Sequence, residues 1–181
     1  MKNPFLIGKK LYLRALETTD LDGEYFQWLN DEEVTRYMES GMFPNSKESM
    51  ESFLKLAQNS HLNVVLAIMD KKTDKHIGNI RLGPINWIHR TSNFGIMIGN
   101  KKFWGKGYGT EATGLIIQYA FNRLNLQKIN LGVVETQKAG VAAYQKAGFK
   151  IEGKARRNFY LNGKYLDSIY MGLLRDEYRN R

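Results

Sequence analysis

Trp104-Gly105-Lys106-Gly107-Tyr108-Gly109-Thr110-Glu111-Ala112 joins an apolar run of strand character to a long amphipathic helix pattern. Glycines at alternate positions leave successive backbone N–H groups uncrowded, so that they can converge on an anion, and the N-terminus of the helix behind them adds partial positive charge. A turn of this kind suits a pyrophosphate. The two commoner phosphate loops do not fit. Gly105-Lys106 is followed by Gly107 where a Walker loop needs Ser or Thr, and Thr110 stands where the third glycine of a dinucleotide fingerprint would fall. A glycine-rich turn that merely opens a helix stays open as the alternative.

Outward from this turn, the chain alternates strand and helix patterns with short connections. Residues 11–14 read as an opening strand. Thr19 or Asp20 is placed to cap a helix running through Trp28 and Leu29, and Asn45 with Glu48 reads as a capping box for a helix carrying Met50, Phe53, Leu54 and Ala57. Strand runs at 62–69 and 76–82 flank a polar turn, and a further strand at 94–98 leads into the glycines. Ala112, Leu115, Ile116, Tyr119, Ala120 and Leu124 follow helical spacing, with Asn125 as the stop. A strand at 128–134, a short helix at 139–147 ended by Gly148, and strands near 149–153 and 165–173 complete the pattern, the last two joined by the hairpin turn Asn162-Gly163. The reading is a single α/β domain over residues 1–181 with an antiparallel-rich mixed sheet.

Composition narrows the chemistry. No run of the chain approaches the ~20 apolar residues of a membrane span, and Met1-Lys2-Asn3-Pro4 lacks a signal-peptide core, so a cytoplasmic address away from membranes is expected. The absence of cysteine excludes disulfides, thiolate metal sites and a cysteine acyl-enzyme. His61, His76 and His89 pair with no Asp or Glu at ligand spacing, so no metal is expected. Residues 1–60 carry 7 Lys+Arg against 10 Asp+Glu, whereas the remainder carries 20 against 8. That basic excess suggests a polyanionic partner. A nucleic acid is one candidate, with Phe159, Tyr160 and Tyr165 near Arg156 and Arg157 as stacking groups, and on that rival reading the glycine turn is only structural. It is disfavoured because no recognition-helix, zinc or aromatic-sheet motif accompanies the basic residues. A phosphorylated cofactor is the other candidate.

Taken in order, the strand Phe94-Gly95-Ile96-Met97-Ile98-Gly99, the glycine turn, the helix from Thr110, the strand at 128–134 and Ala143-Tyr144-Gln145-Lys146-Ala147-Gly148-Phe149 resemble the GNAT acetyltransferase superfamily. Leu11-Tyr12-Leu13-Arg14 at the start and Glu152-Gly153 with Asn162-Gly163-Lys164-Tyr165-Leu166-Asp167 at the end resemble its branch of ribosomal-protein N-terminal (alanine/serine) acetyltransferases. The resemblance covers nearly the whole chain. It implies the GNAT acyl-CoA N-acyltransferase fold, a mostly antiparallel, splayed sheet flanked by helices, with acetyl-CoA as acetyl donor.

Residue by residue, the superfamily's Arg/Gln-x-x-Gly-x-Gly/Ala turn falls on Trp104–Gly109, with Trp104 in its first position. The resemblance gives the amides of Gly105, Lys106, Gly107, Tyr108, Gly109 and Thr110 to the pyrophosphate, with Lys106, Lys101 or Lys102 adding charge. Met97, Ile98 and Gly99 would line the pantetheine arm, and an N–H near Ile98 would polarise the thioester carbonyl. Tyr144 would protonate the departing thiolate. Gln137 and Gly140 stand where the family often has Asn and Ser; Gln137 can still reach the pantetheine, whereas Gly140 supplies no hydroxyl. Glu135 is the candidate general base, ahead of His89. Tyr37, Met38, Phe43, Asn86 and Trp87 are the candidate walls of the acceptor site. The acidic N-terminal portion suits a cationic amine, and Arg81, Arg90 and Arg156 suit an acidic or phosphorylated one. A protein N-terminus or an amino sugar is the foremost acceptor, with a small amine such as a polyamine or antibiotic as the third class. A non-catalytic acyl-CoA sensor on the same scaffold is a further alternative. Phe26 and Trp28 read as core, while other aromatics read equally as core or as the surface of a homodimer.

Overall fold

Period-two burial carries much of the chain into a sheet, and the computed structural model describes residues 1–58 and 61–179. Among the described residues eight strands form one sheet: β1 (Leu6–Ile7), β2 (Leu11–Ala15), β3 (Val64–Asp70), β4 (His76–Asn86), β5 (Thr91–Ile98), β6 (Lys128–Val134), β7 (Lys150–Leu161) and β8 (Lys164–Leu174). They lie in the order β1-β2-β3-β4-β5-β6-β8-β7. Every neighbouring pair is antiparallel except β5 and β6, which run parallel. A parallel pair needs a crossover, supplied here by helix α4 (Tyr108–Asn122).

The parallel pairing is brief. Thr91–Asn93 pair with Lys128–Asn130, after which β5 runs on to Ile98 and β6 to Val134 without pairing each other. The sheet is therefore forked, with an opening between the two C-terminal strand ends.

Alternation divides the core between the two faces. Leu11, Leu13, Ile68, Ile80 and Leu82 pack with Ala112, Ile116 and Ile117 of α4, and helix α5 (Lys138–Ala147) closes the same side through Val141 and Tyr144. Tyr12, Ala67, Met69 and Met97 turn the other way, onto Tyr25 and Trp28 of α1 (Tyr25–Leu29) and Met50 and Leu54 of α3 (Lys47–Gln58). Helix α2 (Glu32–Thr35) links those two, and α6 (Arg175–Arg179) follows β8.

Several local readings need correction. The helix expected from Thr19 or Asp20 through Leu29 is split at Gly23 into a 3-10 turn (Thr18–Asp22) and α1. Asp20 is diverted from capping that helix: its buried carboxylate takes both terminal nitrogens of Arg14, at 2.6 and 2.8 Å. The cap of α3 is Ser46, whose hydroxyl accepts from the Ser49 amide at 3.2 Å while the Ser49 hydroxyl accepts from the Ser46 amide at 3.1 Å. Asn45 instead ties down the preceding loop, donating to the carbonyls of Leu29, Ser40 and Phe43. The strand expected near 149–153 runs on to Leu161, and α4 ends at Asn122, ahead of the expected stop at Asn125. The strand at 128–134 and the Gly148 stop stand as expected, and Asn162-Gly163 turns the last hairpin with both φ angles positive.

Candidate active site

The glycine turn closes the open end of the fork. Gly105 and Gly107 adopt left-handed conformations, φ +68° and +82°, which side-chain-bearing residues rarely take, and Gly107 is the N-cap of α4. The first helical hydrogen bond runs from the Glu111 amide to the Gly107 carbonyl at 3.1 Å. The amides of residues 105–110 meet no protein acceptor among the described residues. Six consecutive N–H groups with no protein partner, at the positive end of a 15-residue helix, form a cradle of the right chemistry for a pyrophosphate.

Trp104 works through its ring. Its indole Nε1–H donates to the Ile98 carbonyl at 2.6 Å, fastening the turn to the last residue of β5. The Tyr108 side chain leaves the cradle altogether. Its hydroxyl donates to Asp70 at 2.7 Å, and that hydrogen bond, aided by burial, pushes the phenol up to about 12.

Strand parity decides which backbone groups line the fork. The Gly99 amide donates to the Ile77 carbonyl at 3.0 Å, so Gly99, and by alternation Met97 and Gly95, face β4. Phe94, Ile96 and Ile98 turn their N–H groups the other way, toward β6, and past the last β5–β6 pair those of Ile96 and Ile98 face the opening. Of the three strand residues expected there, Ile98 alone presents its amide, and Ile96 joins it. The Met97 side chain lies in the α1/α3 core, and a Cβ on Gly99 would fall inside the Trp28 indole.

Tyr144 stands at the root of the fork. Its ring meets Phe94 edge-on at 5.8 Å, one residue past the last β5–β6 pair, and Phe149 at 6.1 Å. Burial raises its pKa, so the phenol stays protonated at neutral pH, as a proton donor must. Gln137 stands at the N-cap position of α5 without a side-chain capping bond and lies over Gly140, where a Cβ would come within 3.2 Å of its Cγ and Cδ. The two departures from the family pattern are therefore neighbours, and a side chain at 140 would move Gln137 by a few tenths of an ångström.

Glu135 lies just past the end of β6 but is committed elsewhere. It accepts from Lys154 at 3.0 Å and from the Asp167 amide at 3.3 Å, and the Lys154 bond holds its carboxyl below the usual range. This is the reverse of the raised pKa that serves a general base. Lys101 is likewise withdrawn from phosphate duty by Asp31 and Glu33, at 2.8 and 2.6 Å.

The five acceptor-site candidates are not brought together. Tyr37, Met38 and Phe43 belong to the segment between α2 and α3, on the side of the sheet where Asp31 meets Lys101. Here a pocket of about 300 Å³ is lined by Leu29, Glu32, Thr35, Met42 and Phe43 among others. Asn86 and Trp87 cap the β4–β5 hairpin, roughly 20 Å from Ile98 at ~3.3 Å per residue. Asn86 accepts from the His89 amide, and Trp87 donates to the His61 carbonyl.

A forked sheet, an unpartnered amide cradle at its mouth and a half-buried tyrosine at its root agree with the family match. Residues 10–150 match the family described as "Acetyltransferase (GNAT) domain". The chain belongs to the GNAT acetyltransferase family. It is an acetyltransferase with acetyl-CoA as donor. Spermidine N(1)-acetyltransferase of Vibrio cholerae is 33% identical over 178 residues, covering 97% of this chain and 99% of that protein. The crystal structure of the Vibrio cholerae spermidine N-acetyltransferase in complex with CoA and spermine superposes with a TM-score of 0.87 at 30% identity, covering 96% of this chain and 100% of that one. A putative ribosomal N-acetyltransferase of Bacillus subtilis is 35% identical, but over 101 residues, 56% of this chain and 55% of that protein. The resemblance to the ribosomal branch is therefore partial, whereas the likeness to spermidine acetyltransferases runs the length of the chain.

Proposed function

We propose that this GNAT enzyme transfers an acetyl group from acetyl-CoA to a primary amine of a polyamine, by direct attack and without an acyl-enzyme. The observation that carries the reading is the run of unpartnered amides at residues 105–110 beside the unpaired edge of β5. In this reading the cradle holds the pyrophosphate, and Gln137 hydrogen-bonds the pantetheine arm that runs along the β5 edge. The amides of Ile96 and Ile98 face the thioester, where one of them stabilises charge developing on its carbonyl oxygen. Once its ammonium proton has passed to solvent water, the amine nitrogen bonds to the acetyl carbon, the carbon–sulfur bond breaks, and Tyr144 gives its phenolic proton to the departing sulfur. The proton released by the new amide returns to Tyr144 through water. Glu135, held anionic by Lys154, has no part in this scheme.

Full-length likeness to spermidine acetyltransferases supports a polyamine over a protein N-terminus or an amino sugar. So does local charge: Glu32 lines the pocket beside Phe43 and meets no cation within ion-pair distance among the described residues. A carboxylate beside apolar walls suits an alkyl chain carrying ammonium groups. The test is CoA release from acetyl-CoA with spermidine, spermine, ribosomal-protein N-terminal peptides and nucleotide-linked amino sugars as acceptors. Polyamine turnover well above the other classes is expected. Turnover confined to peptides or sugars overturns the acceptor, and binding of acetyl-CoA with no turnover on any of them returns the chain to a sensor.

A further inference from the structure

We infer that a lysine-lined cavity beside the glycine turn is a second phosphate subsite, one that takes the 3′-phosphate of coenzyme A. The inference rests on the reading of residues 105–110 as the pyrophosphate seat. The cavity, about 400 Å³, is lined by Lys9, Lys10, Asp70, Lys71, Lys72 and Tyr108.

Two distant stretches converge to build it. Lys9 and Lys10 lie in the turn between β1 and β2, and Lys71 and Lys72 in the turn between β3 and β4. Pairing of Leu11 with Asp70 brings the two turns together, and the Lys71 amide donates to the Lys10 carbonyl at 2.9 Å. Glu111, in the first turn of α4, fixes the approach by accepting from the Lys10 amide at 2.9 Å. The cavity thereby adjoins the cradle. The Lys10 ammonium reaches the Lys106 carbonyl at 3.1 Å and lies 3.8 Å from where a Cβ on Gly107 would stand. The Tyr108 backbone belongs to the cradle while its side chain lines the cavity.

Lysine charge around this cavity exceeds carboxylate charge. Lys10 and Lys71 donate to the carbonyls of Lys106 and Gly8, contacts that orient an ammonium without neutralising it. Lys9 and Lys72 meet no carboxylate within ion-pair distance among the described residues. Asp70, the one acid at the site, has its carboxylate taken by the Tyr108 hydroxyl at 2.7 Å and by the Thr73 hydroxyl and amide at 2.5 and 2.9 Å. Four ammonium groups against the single Asp70 carboxylate leave net positive charge at one opening, which a further anion offsets. In coenzyme A one ribose separates the pyrophosphate from a phosphate monoester, a dianion of the charge this cavity lacks.

The test is calorimetric titration of the full-length protein with CoA and with 3′-dephospho-CoA, repeated on the Lys9→Ala/Lys72→Ala variant. Both replaced side chains are exposed and bear no hydrogen bond of the fold. The native protein should prefer CoA by tenfold or more. The variant should lose most of that preference while its affinity for 3′-dephospho-CoA stays within twofold of native. Equal affinity of the native protein for both ligands overturns the subsite, as does an equal loss for both in the variant, which would mark a diffuse field. Failure of the native protein to bind either ligand overturns the cradle along with the subsite.

Discussion

Replacing Gly107 by alanine separates the cost of folding from the cost of binding. A Cβ at this position would meet only the Lys10 ammonium, at 3.8 Å, so the folded chain has room for it. What opposes the substitution is the left-handed backbone, φ +82°, worth ~1–2 kcal/mol for a residue with a side chain. At ~2–4 °C per kcal/mol for a chain of this size, the melting temperature should drop by roughly 2–8 °C. Binding suffers separately, because the new methyl group stands among the amides proposed to grip the pyrophosphate. Loss of one hydrogen bond to a charged group removes ~1.5–3 kcal/mol, which raises the CoA dissociation constant about 10- to 150-fold.

Gly114 supplies the control. It lies on the exposed side of α4, and a Cβ there would point into open space. Alanine at this position should stabilise the protein by ~0.5–1 kcal/mol through helix propensity and leave CoA binding unchanged. Calorimetric titration with CoA and thermal unfolding, run on both variants, read the two costs independently. A Gly107→Ala protein that folds and binds CoA as tightly as native would refute the cradle.

Two further outcomes follow from the same geometry. Tyr144→Phe keeps the ring contacts with Phe94 and Phe149 and removes only the hydroxyl, so kcat should fall on the order of a hundredfold with CoA affinity and melting temperature nearly unchanged; an unaltered kcat would remove Tyr144 from the chemistry. Burial depresses the His76 imidazole below 6.5, more than its approach to Asp20 raises it. The unfolded chain then binds more protons than the folded one as pH falls through 6.5, so this contribution to stability is complete above that pH and is lost toward the depressed folded value. Urea midpoints should drop between pH 7.5 and 5.5, and less so in His76→Gln; identical pH profiles for the two proteins would contradict the assignment.

The parts of this molecule that were legible in the sequence are those written by local chemistry. Alternate glycines, the 128–134 strand and the glycine stop at 148 each act through the residue's own backbone or its near neighbours, and the resemblance supplied the order that joins them. What escaped was set by partners far along the chain. Ile96 could have been found from Ile98 by counting two residues, but assigning that parity to the fork requires knowing that Gly99 bonds Ile77 across the β4–β5 pair. Lys101 reads as a phosphate ligand until Asp31 and Glu33 are brought to it from 70 and 68 positions away. Glu135 reads as a base until Lys154 arrives on the neighbouring hairpin. Lys9, Lys10, Lys71 and Lys72 look like scattered surface charges until the β2–β3 register gathers them. Charge is thereby sorted in space as the linear count alone cannot show. Lys101 closes an acidic segment against the mouth of the fork, Glu32 remains on that segment's pocket without an ion pair among the described residues, and lysines in excess of the one carboxylate there collect beside the glycine turn. On the proposed reading, that division draws an anionic donor and a cationic acceptor each to its own seat.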